Sequence, residues 1–320
     1  MSDDRERGEP ADGRAPAGGP EVLALFGPTG VGKTELALAL ARRLRARDEQ
    51  PVAVSADAIQ LYRGLEILSG APGPSERAEL EHRLVGIADV HERFSVARYA
   101  RLAHAEIDAL RAEGRRPLVV GGTGLYLRAA LAELTLRPAP PVHVRARWNA
   151  ELERVGAPAL HARLAGVAPG IAATIAPADG RRIVRSLELH ELGALGEAFP
   201  QGESELWTAR TRHPTRLLGL VMEREALYAR IEQRVAEMIA AGAEREVRAA
   251  DAACASLTAR QALGFSELLA GDVEAMVRGT RRYAKRQLTW MRKLAGVEVL
   301  DLTGRRIDQV AGEIVERLAA

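Results

Sequence analysis

Short apolar runs alternate with helix-like stretches from Glu21 to about Leu136. Val22-Leu23-Ala24-Leu25-Phe26, Pro51-Val52-Ala53-Val54-Ser55 and Pro117-Leu118-Val119-Val120 have the length and composition of buried strands. Glu35 to Ala41 has helical composition, Ala100, Ala103, Ile107 and Leu110 recur at three to four, which predicts a helix over about 96–113, and another is predicted from Leu125 to about Glu133. A polar loop is predicted near Gly70–Ser75. Strand and helix in alternation imply βαβ units around a parallel sheet. Pro138-Ala139-Pro140-Pro141 breaks the pattern, and from there to about Leu195 the chain reads as short helices punctuated by Pro158, Pro169 and Pro177, closed by Phe199-Pro200-Gln201-Gly202. The core pattern then resumes with a strand at Leu217–Met222. Helices follow at Arg224–Ala241, Ala259–Leu269 and Asp272–Leu294, then a strand at Val297–Leu302 and a helix at Ile307–Leu318.

Between the first strand and the first helix stands Gly27-Pro28-Thr29-Gly30-Val31-Gly32-Lys33-Thr34, an ungapped match to G-x-x-x-x-G-K-[ST]. Glycines in such a turn let backbone N–H groups converge on phosphate oxygens, and the helix N-terminus adds its positive end. Lys33 brings a point charge and the Thr34 hydroxyl can ligate Mg²⁺. The metal-holding Asp that usually ends a second strand in a hydrolysing P-loop ATPase is missing. The 117–120 strand runs instead into Gly121-Gly122-Thr123-Gly124, and the acid, Asp57, closes the 51–55 strand. The loop therefore reads as a phosphate holder in a protein not built for nucleotide hydrolysis. The expected fold is α/β: a P-loop NTPase-like parallel-sheet core (21–136 and 205–320) with a helical insertion domain (137–204) and a disordered tail (1–20).

Composition narrows the class further. Aromatics are only 4% of 320 residues while 47% are hydrophobic, so the core rests on Leu, Ala, Val and Ile. One cysteine, Cys254, excludes a disulfide framework and suits a reducing compartment. The seven histidines show no metal-ligand spacing, and no apolar run reaches the length of a membrane span. A net charge of +2 does not by itself announce a nucleic-acid binder. Local clusters do more: Arg278, Arg281, Arg282, Lys285, Arg286, Arg292 and Lys293 crowd one predicted helix with Tyr283 and Trp290, and Arg181, Arg182 and Arg185 crowd another. Both read equally as solvated faces or as surfaces that track phosphates. Arg224, Arg230 and Arg234 share a helix, of which Arg230 and Arg234 share a face; they read as a solvated face or as a clamp on a departing diphosphate.

The blocks GPTGVGKT (27–34), SADAIQLYRGLEI (55–67), FSVARYA (94–100), GRRPLVVGGTGLYLRAAL (114–131), GRRIVRSLEL (180–189), REALYARIEQRV (224–235), RQALGF (260–265) and RRYAKRQLTWMR (281–292), in this order, resemble the tRNA dimethylallyltransferases over about Val22 to Leu300. The resemblance implies transfer of a dimethylallyl group from dimethylallyl diphosphate to N6 of the adenosine 3′ to the anticodon, in tRNAs reading codons that begin with U. It implies that residues 27–34 hold the donor diphosphate with Mg²⁺ on Thr34, that Asp57 is the base, that Thr123 bonds the bridging oxygen, and that Arg224 meets the diphosphate. The implied tRNA contacts are Asp57, Ala58, Ile59, Gln60, Thr123, Arg145, Arg181, Arg182, Arg185, Arg260, Gln261, Gly264, Phe265, Arg282, Lys285 and Arg286. A cytoplasmic monomer, with no membrane partner, is implied too. The chain departs from the family pattern at Ala58, where Ser is usual, at Ala71, where Lys is usual, at Arg83, where a second His is usual, at Gly86, and at Phe265. A paralogue that acts on another adenine acceptor, or only binds RNA, is the alternative these departures raise. A prenyltransferase for free adenine nucleotides would need neither the insertion nor the basic clusters, and a small-molecule kinase would not need the Lys-Arg-Gln-x-Thr-Trp helix.

Overall fold

The computed structural model describes residues 19–136, 139–195 and 205–319. Most of the expected tail, Pro138 of the first proline break, and the 199–202 closure lie outside the described residues. In chain order the elements are β1 (Val22–Phe26), α1 (Lys33–Arg45), β2 (Pro51–Ser55), α2 (Glu66–Ser69), α3 (Pro74–Glu79), β3 (His82–Arg83), α4 (Val96–Ala112), β4 (Arg116–Gly121) and α5 (Gly124–Leu131). Three helices follow, α6 (Val142–Val167), α7 (Pro169–Ala172) and α8 (Gly180–Glu191). The remainder is β5 (Thr215–Val221), α9 (Arg224–Ala241), α10 (Ala243–Ala252), α11 (Phe265–Leu269), α12 (Val273–Met291), β6 (Val297–Asp301) and α13 (Ile307–Ala319).

Six parallel strands form one sheet in the order β3-β2-β4-β1-β5-β6. Period-two alternation divides each strand between two faces. In β1, Leu23 and Leu25 join Leu36, Leu40 and Leu44 of α1 and Val310 and Ile314 of α13. Val22, Ala24 and Phe26 pack into the opposite layer with Tyr99 and Ile107 of α4 and Leu127 of α5. Both faces are covered at the centre of the sheet, which is why β1, β2 and β4 are nearly continuous apolar runs. All strands point the same way, so β1, β2 and β4 deliver the phosphate loop, Asp57 and the Gly-Gly-Thr turn to a single edge.

Residues 142–191 build a small core of their own, in which Val144, Trp148, Leu160, Leu164, Ile183 and Leu187 meet. The sequence predicts short helices here, and α6 is in fact two helical segments joined at Gly156 (φ 80°), whose non-helical backbone breaks the helix two residues before Pro158. Other differences are local. Residues 259–269 are not one helix, because Gly264 (φ 90°) separates a 3₁₀ turn at Ala259–Gln261 from α11. The expected polar loop near 70–75 is present at 70–73 but is shorter, lying between α2 and α3, and Gly19 and Pro20, expected in the tail, accept hydrogen bonds from Arg111 through their carbonyls.

Candidate active site

The phosphate loop takes its shape from β1 and α1. Gly32 sits at the helix N-terminus with φ 103°, a conformation that penalises any side chain bearing a Cβ. Lys33 is partly exposed as a residue, but its ammonium folds under the loop and donates to the carbonyls of Gly27 (3.0 Å) and Pro28 (2.8 Å). Burial, and then the facing Arg234 guanidinium, push its pKa down to about 7, against a smaller upward pull from Asp57. Arg234 is itself held below the usual guanidinium range by burial, and its buried Nε has no hydrogen-bond partner. Two desolvated cations thus face each other, with Asp57 pulling on both and Glu76 and Glu237 on Arg234, and their positive charge can receive an incoming anion.

They line a cavity of about 1100 Å³. Thr29, Gly30, Gly32, Lys33 and Thr34 contribute one wall, Asp57, Ala58, Ile59 and Gln60 a second, and Gly122 and Thr123 a third. Residues 66–73 close another side, anchored by Glu246, whose carboxylate accepts the N–H groups of Ile67 and Leu68 (both 2.8 Å) while burial pushes its pKa up. Arg230, Arg234, Glu237, Tyr283, Arg286 and Gln287 are also in the lining.

Asp57 lies just past β2 and accepts from Ile59 N (2.9 Å) and Gln60 N (3.4 Å) through Oδ1, which leaves Oδ2 without a hydrogen bond among the described residues. Thr123 is the N-cap residue of α5, but its hydroxyl does not cap; it stands 3.4 Å from the Tyr283 hydroxyl, whose pKa burial and Asp57 push up to about 12. The two glycines beside Thr123 are needed for close approach: a Cβ on Gly122 would collide with the Gln287 amide, and one on Gly124 with the Trp290 ring.

Arg224 is not at the cavity. It is exposed at the first position of α9, and six residues from Arg230 it lies about 120° away around the helix. The same helix supplies the cavity's arginines roughly two and three turns later. Arg230 donates to the Gly30 carbonyl (2.8 Å) and pairs with Glu35 (2.6 Å), and Arg234 lies over Gly70. Those two were legible as a shared face; which face met the loop was not.

The expected tRNA contacts fall into two groups. Arg182, Gln261, Arg282, Lys285 and Arg286 are exposed, and exposed Arg181 also lines the cavity. Others are buried or engaged in contacts within the protein. Phe265 is 1% exposed and packed in the core, and Gly264 is buried with it, so direct contact by either is corrected. Arg145 holds the fully buried Glu188 through two bonds of 2.7 and 2.8 Å, and Arg185 approaches the same carboxylate at 3.3 Å. Arg260 pairs with Asp251 and donates to Ala255 O (3.0 Å). Gln60 bridges Ser55 (2.8 Å) and the Gly70 carbonyl (3.2 Å). Among the departures from the family pattern, Ala58 and Ala71 line the cavity, while Arg83 pairs with Glu81 at 2.6 Å in β3.

The family model described as IPP transferase matches residues 60–294. The chain belongs to that family. It is 43% identical over 291 residues to a tRNA dimethylallyltransferase of Anaeromyxobacter sp. (strain Fw109-5), covering 87% of this chain and 93% of the relative. It is 40% identical to the tRNA dimethylallyltransferase of Geobacillus kaustophilus, with coverage of 88% and 91%. Among solved structures, the tRNA isopentenylpyrophosphate transferase of Bacillus halodurans aligns with a TM-score of 0.65 at 32% identity, covering 93% of this chain and 97% of that one. A eukaryotic dimethylallyltransferase acting on tRNA shares the fold, with a TM-score of 0.71 at 24% identity. The P-loop-like α/β fold of the family is thus the fold observed here. The model match begins at residue 60, past the phosphate loop and Asp57.

Proposed function

We propose that this protein transfers the dimethylallyl group of dimethylallyl diphosphate to N6 of the adenosine 3′ to the anticodon, in tRNAs reading codons that begin with U. The observation that carries the donor assignment is the pair of desolvated cations, Lys33 and Arg234, lining one cavity beside the phosphate loop. The acceptor assignment rests on family membership and on Asp57 across the same cavity.

In the reaction, N6 attacks the allylic carbon, the bond from that carbon to the bridging oxygen breaks, and the electron pair leaves on the diphosphate. Lys33, Arg234 and the loop N–H groups stabilise that leaving charge. The Thr123 hydroxyl, kept company by the protonated Tyr283, is placed to donate to the bridging oxygen. The N6 proton passes to Oδ2 of Asp57, whose Oδ1 is held by backbone donors and keeps the carboxylate oriented. To reach the cavity, the adenine must leave its stack in the anticodon loop. The exposed basic residues Arg181, Arg182, Arg282, Lys285 and Arg286 supply the phosphate-contacting surface, with residues 137–204 as a tRNA-gripping unit.

Among the described residues no group of three or more His, Cys, Asp or Glu could cage a metal. A Mg²⁺ ion is proposed on the hydroxyl of Thr34, which lines the cavity beside Lys33 and would leave its other positions to diphosphate oxygens and water. It would neutralise charge on the leaving group. Among the described residues no helix is long and apolar enough to cross a membrane, and a monomer working in the cytoplasm is proposed.

The test is incubation with Mg²⁺, labelled dimethylallyl diphosphate and unmodified tRNAs reading codons that begin with U, followed by digestion to nucleosides. Label in N6-prenyl adenosine, absent with Lys33→Ala, is the expected result. Binding of tRNA without label would favour a paralogue that only binds RNA or modifies another adenine, the reading that Ala58 and Ala71 in the cavity wall would then support.

A further inference from the structure

Two of the cavity walls are separate loops. The phosphate loop hangs from β1, and the Gly121–Gly124 turn from β4. A leaving diphosphate held by one and a bridging oxygen met by the other require the loops to keep a fixed distance. Gln287, in α12, spans them. Its Oε1 accepts from Thr29 N at 2.9 Å, and its Nε2 donates to Gly122 O at 2.8 Å. The side chain is 4% exposed, so both ends of a buried amide are satisfied by backbone groups of two different loops.

The neighbours on the same helix face make this a built arrangement. Tyr283, one turn earlier, meets Thr123 at 3.4 Å, and Trp290, one turn later, packs against Gly124. Gly122, which precedes both of those contacts, has no room for a Cβ because the Gln287 amide occupies that space. An amide is neutral, so it fixes the loops without adding charge to a site whose work is to hold an anion. The bond to Thr29 also removes one loop N–H from the set that could reach phosphate.

We infer that Gln287 is a positioning residue that sets the register between the phosphate loop and the Thr123 turn, and so between the leaving group and the hydroxyl that meets its bridging oxygen. This rests on the proposed transfer reaction. It predicts a role through backbone placement, with no contact to substrate.

Two variants test it. Gln287→Met keeps the bulk and loses both bonds. Gln287→Asn stays polar but is one methylene too short to span the loops, and it serves if burying Met at this position disturbs folding. Three readouts are taken on variants whose circular dichroism matches the wild type: affinity for inorganic pyrophosphate, kcat for prenyl transfer, and KM for tRNA. The expected pattern is pyrophosphate affinity weakened about tenfold, as for loss of one ordering hydrogen bond. With it, kcat falls on the order of a hundredfold, as for misplacement of reacting groups by about 1 Å, and KM for tRNA is unchanged. Pyrophosphate affinity and kcat both within about twofold of wild type would overturn the inference, because a merely structural glutamine would move only the melting temperature. If the wild-type protein transfers no prenyl group, the transfer reading fails, and pyrophosphate affinity alone decides whether Gln287 sets the loop.

Discussion

Gly70 lies beneath the guanidinium of Arg234, and a Cβ added there would collide with it. Gly70 also has φ 58°, the left-handed conformation that ends α2. A glycine outside the phosphate loop therefore places one of the two cations in the cavity. Gly70→Ala should displace Arg234 and raise the KM for dimethylallyl diphosphate by about tenfold or more, the scale of one charge-assisted hydrogen bond. Combined with Arg234→Ala the effects should be far from additive, since both variants remove the same interaction. Additive losses would mean Gly70 acts through something other than Arg234.

Arg224→Ala gives the complementary result. An exposed residue outside the cavity should leave kcat and KM within about twofold of wild type, where surface substitutions normally fall. Arg234→Ala should cost far more. Steady-state kinetics on the pair decides which arginine of α9 meets the diphosphate.

The Lys33 ammonium has a pKa of about 7 in the folded protein against an ordinary value of 10.5. Between those values the unfolded chain holds a proton that the folded one lacks, so stability of the ligand-free protein should rise with pH from about 7 to about 10.5. Lys33→Met should flatten that rise in chemical denaturation series. An incoming diphosphate restores the charge, so its binding near pH 8 should take up a proton. Calorimetry in buffers of different ionisation heat reads this directly, and affinity should weaken as pH climbs above about 7. Binding without proton uptake would show that Lys33 is already charged.

Asp57→Asn keeps the acceptor for Ile59 N and removes the base. Turnover should fall by about a hundredfold or more while tRNA affinity stays. A loss of less than tenfold would reassign the proton acceptor.

Arg282 and Lys285 are exposed on the outer face of α12. Replacing both with Ala should weaken tRNA binding and lower the slope of log affinity against log salt by about one to two, one increment for each phosphate no longer neutralised. An unchanged slope would move the footprint elsewhere.

The sheet was readable because each of its buried strands is a short apolar run, and the phosphate loop because its chemistry is contiguous from Gly27 to Thr34. Asp57 and Thr123 were readable as residues at strand ends, where a parallel sheet faces its ligand. What failed was local or distant. β3 is two residues long and carries no alternation, and α10 restarts directly after Gly242 (φ 98°), where a glycine reads as a stop. Arg224 could not be told from Arg230 and Arg234 because helical spacing fixes relative angle but not which face meets the loop. Burial of Phe265 and pairing of Arg145 with Glu188 depend on neighbours that spacing does not reveal. Gln287 lies within a recognisable block, but its two partners are backbone atoms of loops far away in sequence.

Thr29 and Gln287 are 258 positions apart, and the bond between them orders the site. A ribosome makes the phosphate loop well before its fastening helix. Until α12 emerges the growing chain carries an unfinished diphosphate cradle, whereas residues 142–191 hold a core built from their own neighbours in sequence. Chains cut short before α12 would keep the loop motif intact and lack the fastening.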